Sequence, residues 1–165
     1  MKYNSVREYF YKFHNVLYLF ILLPLLVFTF LYYAIQSNFI QSPYKDDEFL
    51  IRIVVIAALF ITSIDWIVTF VLVHVKLKQI RTFPSLGERL DRYYALTTVR
   101  FVLITFDSVL LAFAYFMTEA QLLTIASVAN LALLVFLWPS TRKVCRDLQL
   151  RGDEYTLVYF KKDVL

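Results

Sequence analysis

The chain alternates long apolar runs with short polar stretches, and the pattern occurs four times within 165 residues. The apolar runs cover residues 16–35, 50–75, 95–117 and 122–138. A helix needs about 20 mostly apolar residues to cross the hydrocarbon layer of a membrane. The pattern therefore predicts an all-α, polytopic membrane protein, a bundle of four transmembrane helices that forms a single membrane domain over residues 1–165.

The composition agrees with a protein whose main solvent is lipid. Hydrophobic residues make up 60% of the chain and the mean hydropathy is +0.63, whereas soluble domains are about 45–50% apolar. The first run has no cleavage-site pattern near its end, so we interpret it as a span and not as a signal peptide. Pro24 lies inside it, and we expect a kink there and not a break.

Basic residues are divided unequally between the two sides of the predicted membrane. Of the 17 Lys and Arg residues, 15 lie at the amino end, in or just after the loop 76–94, or in the tail 139–165. Only Lys45 and Arg52 fall on the other side. Because cytoplasmic loops concentrate Lys and Arg, the distribution predicts that both termini, the loop and the tail are cytoplasmic.

Two short motifs predict where helices begin. Thr118 and Gln121 have the spacing of a capping box, as do Ser85 and Glu88. The first motif would start the fourth helix, and the second would start the third helix inside the cytoplasm. The turn before the fourth helix is very short, so helices three and four should be antiparallel neighbours.

The segments outside the spans are also partly apolar. Residues 140–150 carry Val144 and Leu148 on one helical face, which predicts a helix on the membrane surface or a continuation of the fourth helix. Residues 155–160 are apolar and aromatic and predict a strand or a docked tail. At the amino end apolar residues recur at helical spacing and predict an interfacial helix: Tyr3, Val6, Phe10 and Phe13.

Three strongly polar residues fall within the predicted spans: Asp65, Asp107 and Asn130. Such groups are costly in hydrocarbon and face the interior of a bundle. At about 1.5 Å per residue, they lie at similar depths. With Arg100 they form a predicted intramembrane polar site. It either binds a cation or relays protons, or it is a structural hydrogen-bond layer. In that layer one or both Asp residues are protonated, or Asp107 pairs with Arg100.

Other side chains suggest contacts at the cytoplasmic edge of the membrane. Basic residues in the middle loop and the tail predict binding of anionic lipid or a cytoplasmic partner, or they serve only to set the topology. The headgroup ligands predicted in the tail are Arg142, Lys143 and Arg146. The single cysteine, Cys145, is either a plain thiol or an S-acylation site. His14 and His74 sit at the ends of spans, where they meet headgroups or, alternatively, ligate a haem. We expect no cofactor, no metal, no catalytic residue and no nucleic-acid partner.

Catalytic sequence motifs are absent. The sequence has no HExxH pattern and no Gly-rich phosphate loop. We therefore favour a small membrane scaffold or accessory subunit that acts through helix packing and a basic cytoplasmic face, within a homo-oligomer or a larger complex. The alternative is a homo-oligomeric channel or ion-coupled transporter that uses Asp65 and Asp107. An enzyme acting on lipids, with Asp65, Asp107 and Arg100 as its polar groups, is a third class.

Two stretches in the second half of the chain resemble small bacterial inner-membrane proteins with four predicted spans. One runs from Leu86 to Tyr94 and leads into residues 98–101, and the other comprises residues 138–144 followed by 147–150. The resemblance implies a multi-pass protein of the bacterial cytoplasmic membrane. It implies no activity and no site residue.

Overall fold

A computed structural model describes residues 5–161, and all of its regular structure in that range is helical. No strand occurs among these residues, which confirms the all-α prediction. The helices are α1 (Val6–Gln36), α2 (Glu48–Ile80), α3 (Leu86–Thr118), α4 (Gln121–Phe136), α5 (Thr141–Asp147) and α6 (Gly152–Tyr159).

Three of the described helices, α1, α2 and α3, are long and apolar enough to cross a membrane. A fourth span results if α4 and α5 are taken together across the bend between them. In the most apolar 18-residue stretch of each helix, the share of residues buried inside the protein is 11% for α1, 17% for α2 and 56% for α3. α3 is therefore the most buried of the three helices, and α1 and α2 leave broad apolar faces uncovered.

Contacts divide the chain into two compact units. Among the described residues, the first unit contains residues 5–18, 70–100 and 138–161, and the second contains Leu19–Thr69 and Phe101–Leu137. The second unit has a core of buried side chains from α1 to α4: Ile35, Ala58, Leu111, Ala114, Tyr115 and Leu123.

The first unit has an aromatic core between the start of α1 and the start of α3. Phe13 packs against Tyr94 with ring centroids 5.0 Å apart, and Tyr9 lies 6.2 Å from the same ring. The Tyr9 hydroxyl donates to the carbonyl of Leu90 at 3.0 Å. Aromatic rings in such edge-to-face and tilted pairs stabilise a core beyond their buried area.

The amino end differs from the predicted interfacial helix. Val6, Phe10 and Phe13 are buried within the protein, and Tyr3 lies outside the described residues. The helix begins after Ser5, whose hydroxyl accepts from the Glu8 amide at 3.1 Å, and it continues into the apolar run without a break. The apolar stripe therefore packs on α3 instead of facing lipid.

The predicted capping box at the start of α4 is wrong. The N-cap is Ala120, which has no side chain able to cap, and the Thr118 hydroxyl donates back to Ala114 at 2.9 Å. The tight turn is made instead by Glu119, whose φ of 53° lies in the left-handed region. By contrast, α3 does begin at the predicted Ser85 motif, since its first residue is Leu86.

The carboxyl-terminal segment contains two short helices. α5 is separate from α4 because Pro139 follows the end of α4 and Ser140 caps a new helix, its hydroxyl accepting from the Lys143 amide at 3.3 Å. A continuation of α4 is therefore excluded. The predicted strand at residues 155–160 is also wrong, since this segment belongs to α6 and its end.

Candidate functional site

A hydrogen-bonded layer around Asn130 joins three helices of the second unit. Asn130 is 0% exposed, and its carbonyl oxygen accepts from the Trp66 indole N–H at 2.9 Å. Its amide donates to the Ser108 hydroxyl at 2.9 Å and to the Ile104 carbonyl at 3.2 Å. α2, α3 and α4 are thus tied together by one amide whose oxygen and nitrogen both have partners.

The two acidic residues lie next to this layer. Asp107 on α3 is 1% exposed, and neither of its oxygens has a hydrogen-bond partner among residues 5–161. The half-buried Asp65 of α2 lies within hydrogen-bonding range of it. Because ionised carboxylates only accept hydrogen bonds, a bond between the two requires a proton on one of them. The structure therefore brings together Asp65, Asp107 and Asn130, but only Asn130 has its hydrogen bonds satisfied.

Two threonines share the face of α2 that carries Asp65. Thr62 and Thr69 are 7% and 4% exposed, and both hydroxyls lack a partner in the described part of the chain. Residues three and four positions apart lie on one side of a helix, so both flank the Asp65 side chain. A buried threonine on a helix usually bonds to the carbonyl four residues earlier. Here the hydroxyls remain available to a ligand or a proton chain.

Arg100 belongs to a different environment from the acid pair. Its guanidinium lies 5.6 Å from the centre of the Phe70 ring, within the first unit. Asp107 forms no hydrogen bond with it, because both Asp107 oxygens lack partners in residues 5–161. The predicted pairing of these two residues is therefore wrong.

The three predicted headgroup ligands lie on α5 and have different surroundings. Arg142 and Arg146 are exposed, with the Arg142 Nε donating to the Tyr159 hydroxyl at 3.2 Å. Lys143 is half-buried, and burial, together with the neighbouring Arg100, lowers the pKa of its ammonium group. The arginines line a groove of about 500 Å³ between α5 and α6, which also includes Arg151.

Asp147 holds α5 to the rest of the first unit, a role that the sequence did not indicate. Its carboxylate accepts from the Tyr93 hydroxyl at 3.0 Å, and its backbone carbonyl accepts from the Arg81 Nε at 2.7 Å. Burial, reinforced by the Asp147 charge, raises the pKa of Tyr93 well above its usual range. Arg89 on α3 also pairs with Glu154 on α6.

Comparison with known proteins adds no assignment to these residues. No protein-family model, curated protein or solved structure matches this chain. The structure offers three candidate features: the hydrogen-bonded Asn130 layer, the Asp65–Asp107 pair, and the arginine-lined groove.

The histidines lie apart from these features, whereas Cys145 lines the arginine groove. A His14 ring nitrogen lies 3.3 Å from the Pro139 carbonyl oxygen, and burial lowers the pKa of the imidazole. His74 is exposed. Cys145 is 2% exposed and burial raises the pKa of its thiol, so the group is poorly placed for S-acylation. Within residues 5–161 no three His, Cys, Asp or Glu side chains group as metal ligands.

Proposed function

We propose that the protein is a four-span protein of the bacterial cytoplasmic membrane with both termini in the cytoplasm. The charge distribution supports this orientation, because only Lys45 and Arg52 would face the outside. The α4–α5 pair would supply the fourth span, with α4 in hydrocarbon and α5 at the interface. The uncovered apolar faces of α1 and α2 would then contact lipid.

Labelling single cysteines tests this topology. In a Cys145→Ser background we expect Asp46→Cys to react with a membrane-impermeant maleimide in intact spheroplasts. Lys78→Cys should react only after the membrane is permeabilised. Both positions are exposed in the folded chain, so burial does not limit the reaction. Equal labelling of both sites in intact spheroplasts would contradict the proposed orientation.

Within this topology, the function we propose is a small scaffold or accessory subunit that binds an acidic cytoplasmic segment of a larger membrane protein. The observation that carries it is the groove lined by Arg142, Arg146 and Arg151. Guanidinium groups bind carboxylates in bidentate pairs and are enriched at protein interfaces. The Asp147–Tyr93 and Arg89–Glu154 contacts hold both walls of the groove on α3, which favours a preformed site.

Charge reversal in the groove tests the accessory role. We expect wild-type protein, purified in a mild detergent, to carry a larger membrane subunit at a fixed ratio in native mass spectrometry. Arg146→Glu should lower that ratio at least about tenfold, because a like charge in an interface costs several kcal/mol. Lys78→Glu is the matched control, since Lys78 is an exposed cation outside the groove. Wild-type protein without a subunit, or equal loss in both variants, would refute the proposal.

A second candidate is a homo-oligomeric channel or ion-coupled transporter based on Asp65 and Asp107. The observation in its favour is that the buried Asp107 carboxyl lies within hydrogen-bonding range of Asp65, while no other donor in the described chain reaches its oxygens. Ionisable residues inside a membrane commonly mark ion or proton pathways. The unpartnered Thr62 and Thr69 hydroxyls would extend a polar path along α2.

A further inference from the structure

A second groove lies in the first unit between the end of α2 and the start of α3. It has a volume of about 650 Å³, which is within the range of about 300–1,000 Å³ typical of ligand pockets. None of the predicted site residues lines it. Lys76 and Arg92 line it toward the loop, together with the apolar Ile80 and Phe83, and Leu72, Leu96 and Val99 line the other end.

The groove changes in polarity along its length. On α2, Lys76 follows Leu72 by one helical turn, and on α3, Arg92 precedes Leu96 by one turn. α2 ends at the proposed cytoplasmic loop and α3 begins there. Lys76 is nearer to the loop than Leu72, and Arg92 is nearer to it than Leu96, so both cations lie toward the cytoplasmic side. The apolar end, with Leu72 and Val99, would lie in the membrane. One end of the groove therefore suits a charged group and the other suits hydrocarbon.

The two cations differ in how firmly they are held. Arg92 lies 3.9 Å from the centre of the Phe83 ring and pairs with Glu88 at 3.0 Å. Lys76 is exposed. Two cations, with the Glu88 carboxylate paired to one of them, leave a net positive charge at this end of the groove. An anion is the complementary ligand.

From this arrangement we infer that the groove binds one anionic phospholipid of the cytoplasmic leaflet. The phosphate contacts Lys76 and Arg92, and one acyl chain lies against Leu72, Leu96 and Val99. Basic pockets between transmembrane helices on the cytoplasmic side are known to bind anionic headgroups. The inference relies on the proposed topology, which the labelling experiment tests separately. It places the lipid on α2 and α3, away from Arg142, Lys143 and Arg146.

Native mass spectrometry of purified protein with added lipid tests the site. The probes are phosphatidylglycerol, phosphatidylcholine and inorganic phosphate. Each cation near an anionic membrane surface contributes about fivefold in affinity. We therefore expect Lys76→Gln to weaken phosphatidylglycerol binding about fivefold, and Lys76→Gln with Arg92→Gln about 30-fold. Lys78→Gln is the matched control, because Lys78 is exposed on the same helix but does not line the groove.

A second pair of variants tests the acyl chain without changing charge. Ala95 is exposed and lines the groove, so Ala95→Trp should fill it and remove the bound phosphatidylglycerol. Val128→Trp, at an exposed position on α4, should leave binding unchanged. Three results would overturn the site: equal binding of phosphatidylcholine, equal loss in Lys78→Gln and Lys76→Gln, or phosphate binding as tight as the lipid.

Discussion

Replacing Asn130 with alanine is expected to lower the free energy of unfolding in detergent by about 2–4 kcal/mol. Three hydrogen bonds between helices are lost, to Trp66, Ser108 and Ile104. Such bonds average about 0.6 kcal/mol each in membrane proteins, with a maximum near 1.7. A cavity at the buried Asn130 position and a partly buried indole N–H left without an acceptor add to the cost. Unfolding in increasing dodecyl sulfate, followed by tryptophan fluorescence, measures the change.

Ser127→Ala is the matched control for that substitution. Ser127 is buried on the same helix, but its hydroxyl donates to the Leu123 carbonyl of its own helix. Loss of this local bond should cost less than about 1 kcal/mol. Equal losses at Asn130 and Ser127 would mean that the amide layer contributes nothing specific to the packing of α2, α3 and α4.

The long apolar runs predicted α1, α2 and α3 because their signal is local and strong. Backbone groups in apolar segments of this length bond within their own helix, whatever the tertiary contacts are. The ends of the helices were harder to predict. Ser5 and Ser140 cap helices as their residue types suggest, but the chain turns at Glu119 through a positive φ that its residue type does not indicate.

The short carboxyl-terminal segment illustrates a different limit. Residues 155–160 are aromatic and β-branched, which favours a strand by propensity. They form most of α6 instead, because Glu154 pairs with Arg89 and Val158 is fully buried. Tertiary contacts outweigh a propensity difference of a few tenths of a kcal/mol per residue. No pattern in the sequence reports those contacts.

The common depth of Asp65, Asp107 and Asn130 was predictable, but neither the separate position of Arg100 nor the hydrogen bonds of the site were. Counting residues from the span ends placed Asp65, Asp107 and Asn130 at one depth, and the structure brings them together. Helical rotation decides which side chains meet, and a shift of one residue turns a side chain by about 100°. In the structure, Trp66 is the hydrogen-bond partner of Asn130, and Arg100 lies beside the Phe70 ring.

The two grooves could not be derived from the sequence. Each is formed by residues from two helices whose relative placement is set by packing. Basic residues in the tail could be assigned to headgroups, since their charge is visible in the chain. Lys76, Leu96 and Val99 line one groove because of the way α2 packs against α3. Other registers of the two helices would bury a similar apolar area, so the sequence does not select this one.

The other large expected effect is on proton transport, when Asp107 of the Asp65–Asp107 pair is replaced. If the pair forms a proton path, wild-type protein in vesicles should take up protons when a valinomycin-driven potassium potential is applied, and Asp107→Asn should fall to the rate of protein-free vesicles. An asparagine at this position cannot bind or release the proton that a carboxyl group exchanges. Asp46→Asn is the control, because Asp46 is an exposed acid outside the spans. A wild-type rate equal to that of protein-free vesicles would end the transport candidate.

The same substitution should make the protein more stable. The Asp107 oxygens lack a donor in the described chain, and an asparagine there can donate an N–H to Asp65. A hydrogen bond contributes about 0.5–1.5 kcal/mol net, so we expect Asp107→Asn to raise the free energy of unfolding by about 1 kcal/mol. An acid pair that already shares a proton would show no gain, because the substitution only exchanges one hydrogen bond between the two side chains for another. If Asp107→Asn both raises the free energy of unfolding and abolishes proton flux, the Asp107 carboxyl serves proton transfer although it lowers the stability of the protein.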